Sequence, residues 1–178
     1  MQSVKGVAPP LSSLYVKLRH KFGFLDWWPG DTKLEIVVGA ILTQNTSWKN
    51  VEKAIANLKK ERMLSMEKLA GSSIRNIEEA IKPSGFYRQK AKRLQNIIQH
   101  ISSNYKSLDN FFDKNVEELR KELLSLNGIG NETADSIILY AAGKPTFVID
   151  AYTKRIMNRA YGIDKDIKYE ELKALFEA

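Results

Sequence analysis

The chain has 178 residues, 43% of them hydrophobic and 28% charged, the balance of a folded protein long enough for one compact unit or two small ones packed together. Its 28 Lys and Arg against 21 Asp and Glu give a net charge of +7, which favours a polyanionic partner, because basic surface speeds encounter with nucleic acid and releases counterions on binding. The absence of cysteine excludes disulfides, cysteine-held zinc and an iron–sulfur cluster within these residues; no apolar run reaches membrane-spanning length or forms the core of a secretion signal, so a cytoplasmic, nucleoid-associated protein without membrane contact is expected.

In chain order, Met1 to Pro10 reads as a loose leader closed by Pro9-Pro10, and Leu11, Leu14, Tyr15 and Leu18 predict a short amphipathic helix. The stretch from Phe22 to Pro29 is aromatic and broken by Gly23 and Pro29. Asp31 or Thr32 is placed to cap a helix carrying Leu34, Val37, Val38 and Ile41, and Val51, Ala54, Ile55 and Leu58 mark another beyond Gln44-Asn45-Thr46. Pro83-Ser84-Gly85 is a turn before a long helix, with Ala91, Leu94, Ile98 and Ile101 inward and Arg88, Lys90, Lys92 and Arg93 mostly outward. Val116, Leu119, Leu123 and Leu124 predict a helix before Leu126-Asn127-Gly128-Ile129-Gly130, and Ala134, Ile137, Ile138 and Ala141 fall on one stripe of a helix after it. Alternation with period two is nearly absent, apart from a short extended piece over Thr146 to Ile149. The fold class is all-α, without internal repeat or low-complexity segment.

Gly128 and Gly130 suit a tight hairpin, because a turn that presents consecutive backbone N–H groups needs residues that tolerate positive φ and close approach. The helix after it would begin at the hairpin and offer free N–H groups and a positive dipole end to a phosphate, a contact that positions nucleic acid and reads no sequence. The same five residues equally suit an αα-corner whose glycines only let two helices pack. Asp150 closes the apolar run Phe147-Val148-Ile149 ahead of a helix-like segment from Tyr152, where a carboxylate is partly desolvated and beside a helix start; the plainer role there is an N-cap. The runs Arg88 to Arg93 and Lys154 to Arg159 could line a nucleic-acid surface or be solvated helix faces.

No Gly-x-x-x-x-Gly-Lys-Ser/Thr loop and no His-Glu-x-x-His is present, and the two histidines, His20 and His100, lie far apart, so nucleotide hydrolysis and histidine-metal catalysis lack support. The three tryptophans, Trp27, Trp28 and Trp48, are either core packing or walls of a cavity. Stacked on a cationic purine, indole rings gain base stacking and cation–π attraction of about 1–3 kcal/mol each.

Taken together, these residues resemble the helix-hairpin-helix DNA glycosylases of the endonuclease III superfamily, from about Phe22 to Ile163. The match is ordered: Gly39-Ala40-Ile41-Leu42-Thr43-Gln44-Asn45-Thr46, then Leu126 to Ala134 with Asn127, Asn131 and Thr133 in the hairpin motif, then Val148-Ile149-Asp150 before a helix with Arg155. Asp26-Trp27-Trp28-Pro29, Trp48 and the segment Lys82 to Leu94 look like the 3-methyladenine DNA glycosylase III branch. The resemblance implies a helical barrel over residues 31–143, ending in the hairpin motif at about 115–143, and a second helical domain from 1–30 and 144–178. Members continue past the catalytic helix with further helices, many with a four-cysteine iron–sulfur loop, whereas this chain ends at Ala178.

Bifunctional members place a lysine before Thr-Ala in the hairpin, and that lysine attacks the sugar; here the position is Glu132, and a carboxylate cannot form an imine. The resemblance therefore implies a monofunctional glycosylase that removes alkylated purines such as 3-methyladenine from double-stranded DNA, as a monomer. In this reading Asp150 is the catalytic charge, and Trp27, Trp28, Pro29, Trp48 and Glu132 surround the flipped base. Asn45, with Gln44, is the wedge that fills the gap in the duplex. Asn127, Gly128, Gly130, Asn131 and Thr133 hold the DNA backbone, with a monovalent cation on hairpin carbonyls as the one cofactor. Two alternatives stand beside it: a bifunctional endonuclease III-like enzyme on oxidised pyrimidines with Lys154 as substitute amine, and a non-catalytic DNA-binding module.

Overall fold

The computed structural model describes residues 10–25 and 27–178; the expected leader over Met1 to Pro9, and Asp26 of the Asp-Trp-Trp-Pro sequence, lie outside the described residues. Among the described residues the structure is helical and without strands, and none of their helices is long and apolar enough to cross a membrane. The chain divides into two units, one of Trp28–Thr146 and one of the described residues up to Trp27 with Phe147–Ala178. The divisions fall at 27/28 and 146/147, where the sequence placed them at 30/31 and 143/144.

The larger unit is organised by α2 (Lys33–Leu42), in which Leu34, Val37, Val38, Ala40, Ile41 and Leu42 are all buried; a helix apolar around most of its circumference belongs inside a core. Thr32 caps it, its hydroxyl accepting the Glu35 N–H at 3.2 Å. The next helix, α3 (Trp48–Lys60), shows a single apolar face of Val51, Ala54, Ile55 and Leu58. Ser65 starts α4 (Met66–Gly71) and Ser73 starts α5 (Ile74–Ile81) with the same side-chain cap. After a 3₁₀ turn at Lys82–Ser84, α6 (Tyr87–Asn104) buries Ala91, Leu94, Ile97, Ile98 and Ile101. Each fully buried aliphatic side chain of this kind contributes about 1.5–3 kcal/mol. Short α7 (Leu108–Phe112) and α8 (Val116–Ser125) follow, capped by Ser107 and Asn115.

Beyond the hairpin, α9 (Asn131–Ser136) runs into a π-helical turn over Ile137–Ala141, and the predicted stripe of Ala134, Ile137, Ile138 and Ala141 is buried. A buried ion pair ties the two sides of the hairpin. Arg120 on α8 donates through Nε to Asp135 Oδ1 at 2.8 Å and through Nη2 to Oδ2 at 3.2 Å, a fork that matches a carboxylate. Asp135 also accepts from the Thr146 hydroxyl at 3.4 Å. A second polar cluster joins α6 to α8: Glu122 accepts from Tyr105 at 2.6 Å, pairs with His100 at 2.6 Å and binds the Lys114 ammonium. Burial opposes ionisation of Glu122, but hydrogen bonds from Lys114, Tyr105 and His100 outweigh it and hold its pKa down at about 2.

The smaller unit contains α1 (Leu11–Phe22), α10 (Ala151–Tyr161) and α11 (Tyr169–Glu177). Ile149, Met157 and Leu172 form its buried centre, with Leu11, Phe147, Tyr161 and Phe176 packed against it. The predicted apolar stripe of α1 is only partly covered: Leu11 and Leu14 are half-buried, and Tyr15 and Leu18 are exposed. The expected extended piece over Thr146 to Ile149 pairs with no strand; its N–H groups turn to side chains instead, Phe147 to Glu177 at 2.9 Å and Ile149 to the Tyr169 hydroxyl at 3.2 Å.

Candidate active site

At the hairpin, Gly128 has φ +86°, the left-handed region in which a side chain is strained. It is also crowded, because a Cβ there would lie 2.4 Å from Arg93 Cγ and Nε. The expectation for Gly130 is corrected: its φ is −95°, and an added Cβ would meet nothing within 4 Å, so neither conformation nor space requires glycine at that position. Asn127 and Gly130 are exposed, Gly128 and Asn131 half-buried. The N–H groups that open α9 precede the Ala134-to-Gly130 bond of 2.9 Å, the first that the helix itself can close.

The loop between α2 and α3 carries the expected wedge. Asn45 is exposed with φ +51°, a conformation that asparagine tolerates better than most residues. Gln44 behaves differently from the expectation. Its Nε2 donates to the Gly128 carbonyl at 3.3 Å and to Thr133 Oγ1 at 2.9 Å, and its Oε1 accepts from Arg93 Nη1. An amide with both ends engaged inside the protein acts as a brace, and that is what Gln44 does in this structure. Thr133 is buried and its hydroxyl is turned to Gln44, which leaves its backbone to face a ligand.

Of the aromatic residues, Trp28 and Trp48 come together edge to face, centroids 5.4 Å apart at 72°. Tyr140, which the sequence reading missed, stacks on Trp28 at 4.7 Å and 24°. Gly39 lets them close in, since a Cβ there would be 3.3 Å from Trp48 and 3.6 Å from Trp28. Both indole N–H groups are buried and carry no hydrogen-bond partner, a cost of about 1–3 kcal/mol each unless an acceptor arrives. Trp27 belongs to the other unit and is 67% exposed; Pro29 is exposed as well.

Asp150 is the N-cap of α10. Its Oδ1 accepts both the Thr153 N–H at 2.6 Å and the Thr153 hydroxyl at 2.8 Å, and neither bond uses Oδ2. The plainer reading of Asp150 as a cap is therefore realised, and it leaves one oxygen of a half-buried carboxylate outside the cap. Lys154, the substitute amine of the bifunctional alternative, donates its ammonium to the Ile167 carbonyl at 2.7 Å. Glu132 is exposed on the first turn of α9.

Two further residues carry signals that composition hides. Lys90, expected outward, is 1% exposed, and its ammonium donates to the carbonyls of Leu42 at 2.9 Å and Ser84 at 2.6 Å. Burial, with the nearby Arg93 charge adding to it, lowers its pKa to about 8. The spacing contained the clue, because Lys90, Leu94, Ile97 and Ile101 share one helical stripe. Phe86 is an exposed aromatic held at φ +45° between Gly85 and α6, a strained backbone state for a bulky residue and a common mark of a contact surface.

Two helices joined by this hairpin, with a downstream aspartate capping a helix, define a helix-hairpin-helix protein of the endonuclease III type. The chain belongs to the HhH-GPD superfamily of base excision DNA repair proteins, whose family model matches residues 38–178, and it is a DNA glycosylase of that superfamily. It is 50% identical over 166 residues to a Methanocaldococcus jannaschii protein assigned as a DNA repair glycosylase, covering 92% of this chain and 76% of that one. With endonuclease III of Thermotoga maritima it shares 32% over 124 residues, 70% of this chain and about half (54%) of the relative. Among solved structures it is similar to the H. pylori 3-methyladenine DNA glycosylase bound to 1,N6-ethenoadenine, with a TM-score of 0.82 and 35% identity, covering 94% of this chain and 78% of that one.

Proposed function

We propose that this glycosylase is monofunctional and hydrolyses the N-glycosidic bond of alkylated purines such as 3-methyladenine in double-stranded DNA, acting as a cytoplasmic, nucleoid-associated monomer. The observation that carries the reading is the aromatic cluster of Trp28, Trp48 and Tyr140, in a chain with Glu132 where an imine-forming lysine would stand. Its 35% identity to an enzyme named for 3-methyladenine supports the substrate class.

N3-methylated adenine is cationic, so its glycosidic bond is already weakened and the base departs neutral without a general acid. The enzyme has to extrude the nucleotide and stabilise an oxocarbenium-like sugar. Electron-rich indole faces of Trp28 and Trp48, with Trp27 and Pro29, favour a cationic ring over a neutral one. The Asp150 carboxylate stabilises the developing positive sugar and takes a proton from water as the water oxygen bonds to C1′ and the C1′–N9 bond breaks. Asn45 fills the gap left in the duplex, Phe86 adds an aromatic contact surface, and Asn127, Gly128, Gly130 and Asn131 meet the DNA backbone. A monovalent cation on the hairpin carbonyls belongs to this reading; those of Leu126 and Gly128 each accept a hydrogen bond, from Ile129 N–H and from Gln44, and a carbonyl has a second lone pair to offer. It would add positive charge beside a phosphate.

The test is release of free base from methylated duplex DNA. Wild type is expected to liberate 3-methyladenine and Asp150→Asn to lose that release while still binding the duplex. No release by the wild type would end the proposal, and full release by the variant would remove Asp150 from the chemistry.

A further inference from the structure

Two cations on α6 hold the loop that presents Asn45. Lys90 ties the last residue of α2 by its carbonyl, Leu42, to the turn at Ser84, and a cation at a helix C-terminus also meets the negative end of the dipole. Three residues on, Arg93 donates to Gln44 Oε1, and its stem crosses Gly128 so closely that a Cβ added there would displace it. Gln44 completes the link, donating to Gly128 O and Thr133 Oγ1. The orientation of the Gln44 amide is dictated by its neighbours: a guanidinium only donates and the Gly128 carbonyl only accepts, so a flipped amide would set donor against donor and oxygen against oxygen. Arg93 therefore fixes Gln44, and Gln44, the residue that precedes Asn45, is tied to the hairpin turn.

We propose that Arg93 is a positioning residue for base extrusion, holding the Asn45 loop and the hairpin at a fixed offset through Gln44. This rests on the proposed roles of Asn45 as wedge and the hairpin as backbone grip. A wedge that enters a duplex works only if its distance from the grip is set beforehand, and displacement by about 1 Å costs on the order of a hundredfold in rate for oriented reactions. Arg93 needs no contact with the damaged base for this role.

The test compares Arg93→Met, Gln44→Met and the double variant, in the full chain. Three quantities are read: single-turnover base release, the fluorescence rise of 2-aminopurine beside the lesion as a report of extrusion, and affinity for undamaged duplex. Arg93→Met is expected to lower release and the fluorescence amplitude by about tenfold or more, a substantial part of that alignment term, with a much smaller change in affinity for undamaged duplex. The double variant is expected to be no slower than Gln44→Met alone, because both changes remove one linkage. Wild-type extrusion and release in a folded Arg93→Met protein, or losses that multiply in the double variant, would overturn the proposal. Arg93→Lys retains charge and stem and serves the same comparison if the methionine variant does not fold, its ammonium lacking the planar fork. Amide exchange at Ile129 and Ala134, whose N–H groups donate to Leu126 O and Gly130 O, measured without DNA, separates this proposal from the enzymatic one. Exchange at least about tenfold faster in either variant supports the brace even if the wild type releases no base, since loss of one local linkage lowers opening free energy by about that factor; unchanged exchange overturns it.

Discussion

Around the hairpin, side chains are held by partners distant in sequence, Gln44 by Arg93, Gly128 and Thr133, and Asp135 by Arg120, whereas Asp150 is held by Thr153, three residues on. The first arrangement exists only when the larger unit is packed around its buried α2 and α6. The second is a helix cap that forms with α10 itself. In the proposed mechanism a grip on a polymer has to be rigid over many residues, while one carboxylate oxygen needs only a defined local direction, and the two regions would meet those needs by different means.

The largest effect is expected where the tertiary device is cut. Arg120→Met removes the guanidinium from a buried Asp135 carboxylate and should cost about 3–5 kcal/mol of stability, read from denaturant unfolding; a loss below about 1 kcal/mol would show that the hairpin helices do not depend on that pair. Asp150→Asn keeps an oxygen for the cap, so unfolding should move by less than about 1 kcal/mol, while base release falls by about a hundredfold or more. A parallel loss of stability would make the carboxylate structural only. Trp48→Ala should slow release by about tenfold or more, with far less effect on duplex affinity, the loss of one base stack being worth about 1–3 kcal/mol; equal losses in both would reduce Trp48 to packing.

The smallest expected effect is on pH dependence. The Lys90 pKa is lowered from 10.5 to about 8 in the folded chain, so between those values the unfolded state binds the proton that the folded state releases, and stability rises with pH. The difference in unfolding free energy between wild type and Lys90→Met should therefore shift in favour of wild type from pH 8 to pH 10, and a flat difference would place the ammonium in a wetter setting.

Much of this was legible beforehand. Helical spacing located α6, α8 and the stripe through Ala134 and Ile138, and of the two caps named, Asp31 or Thr32, the helix uses Thr32. The Gly128 turn was legible because positive φ has a residue signature; Gly130 misled because a second glycine in a motif need not share the first one's conformation. Lys90 was misread, and the internal contacts of Gln44 went unseen, for one reason. A lysine or glutamine is exposed by default, and only the fold reveals that Leu42 O, Ser84 O and Gly128 O await donors there. Tyr140 lay on a helix with no aromatic pattern of its own, and its stacking on Trp28 joins residues more than a hundred positions apart in the chain. On α1 the predicted spacing held while cover ran from half-buried Leu11 and Leu14 to exposed Tyr15 and Leu18, since periodicity describes a face and says nothing of what covers it.

The most direct test of the central claim reads two products from one incubation of methylated duplex DNA with the wild-type protein: free base, and strand breaks scored without heat or alkali, with borohydride present in a parallel tube. The account predicts free 3-methyladenine, intact strands and no covalent protein–DNA species. Strand breaks in step with base release, or a borohydride-trapped complex, would contradict it and point to an amine doing the work assigned to water.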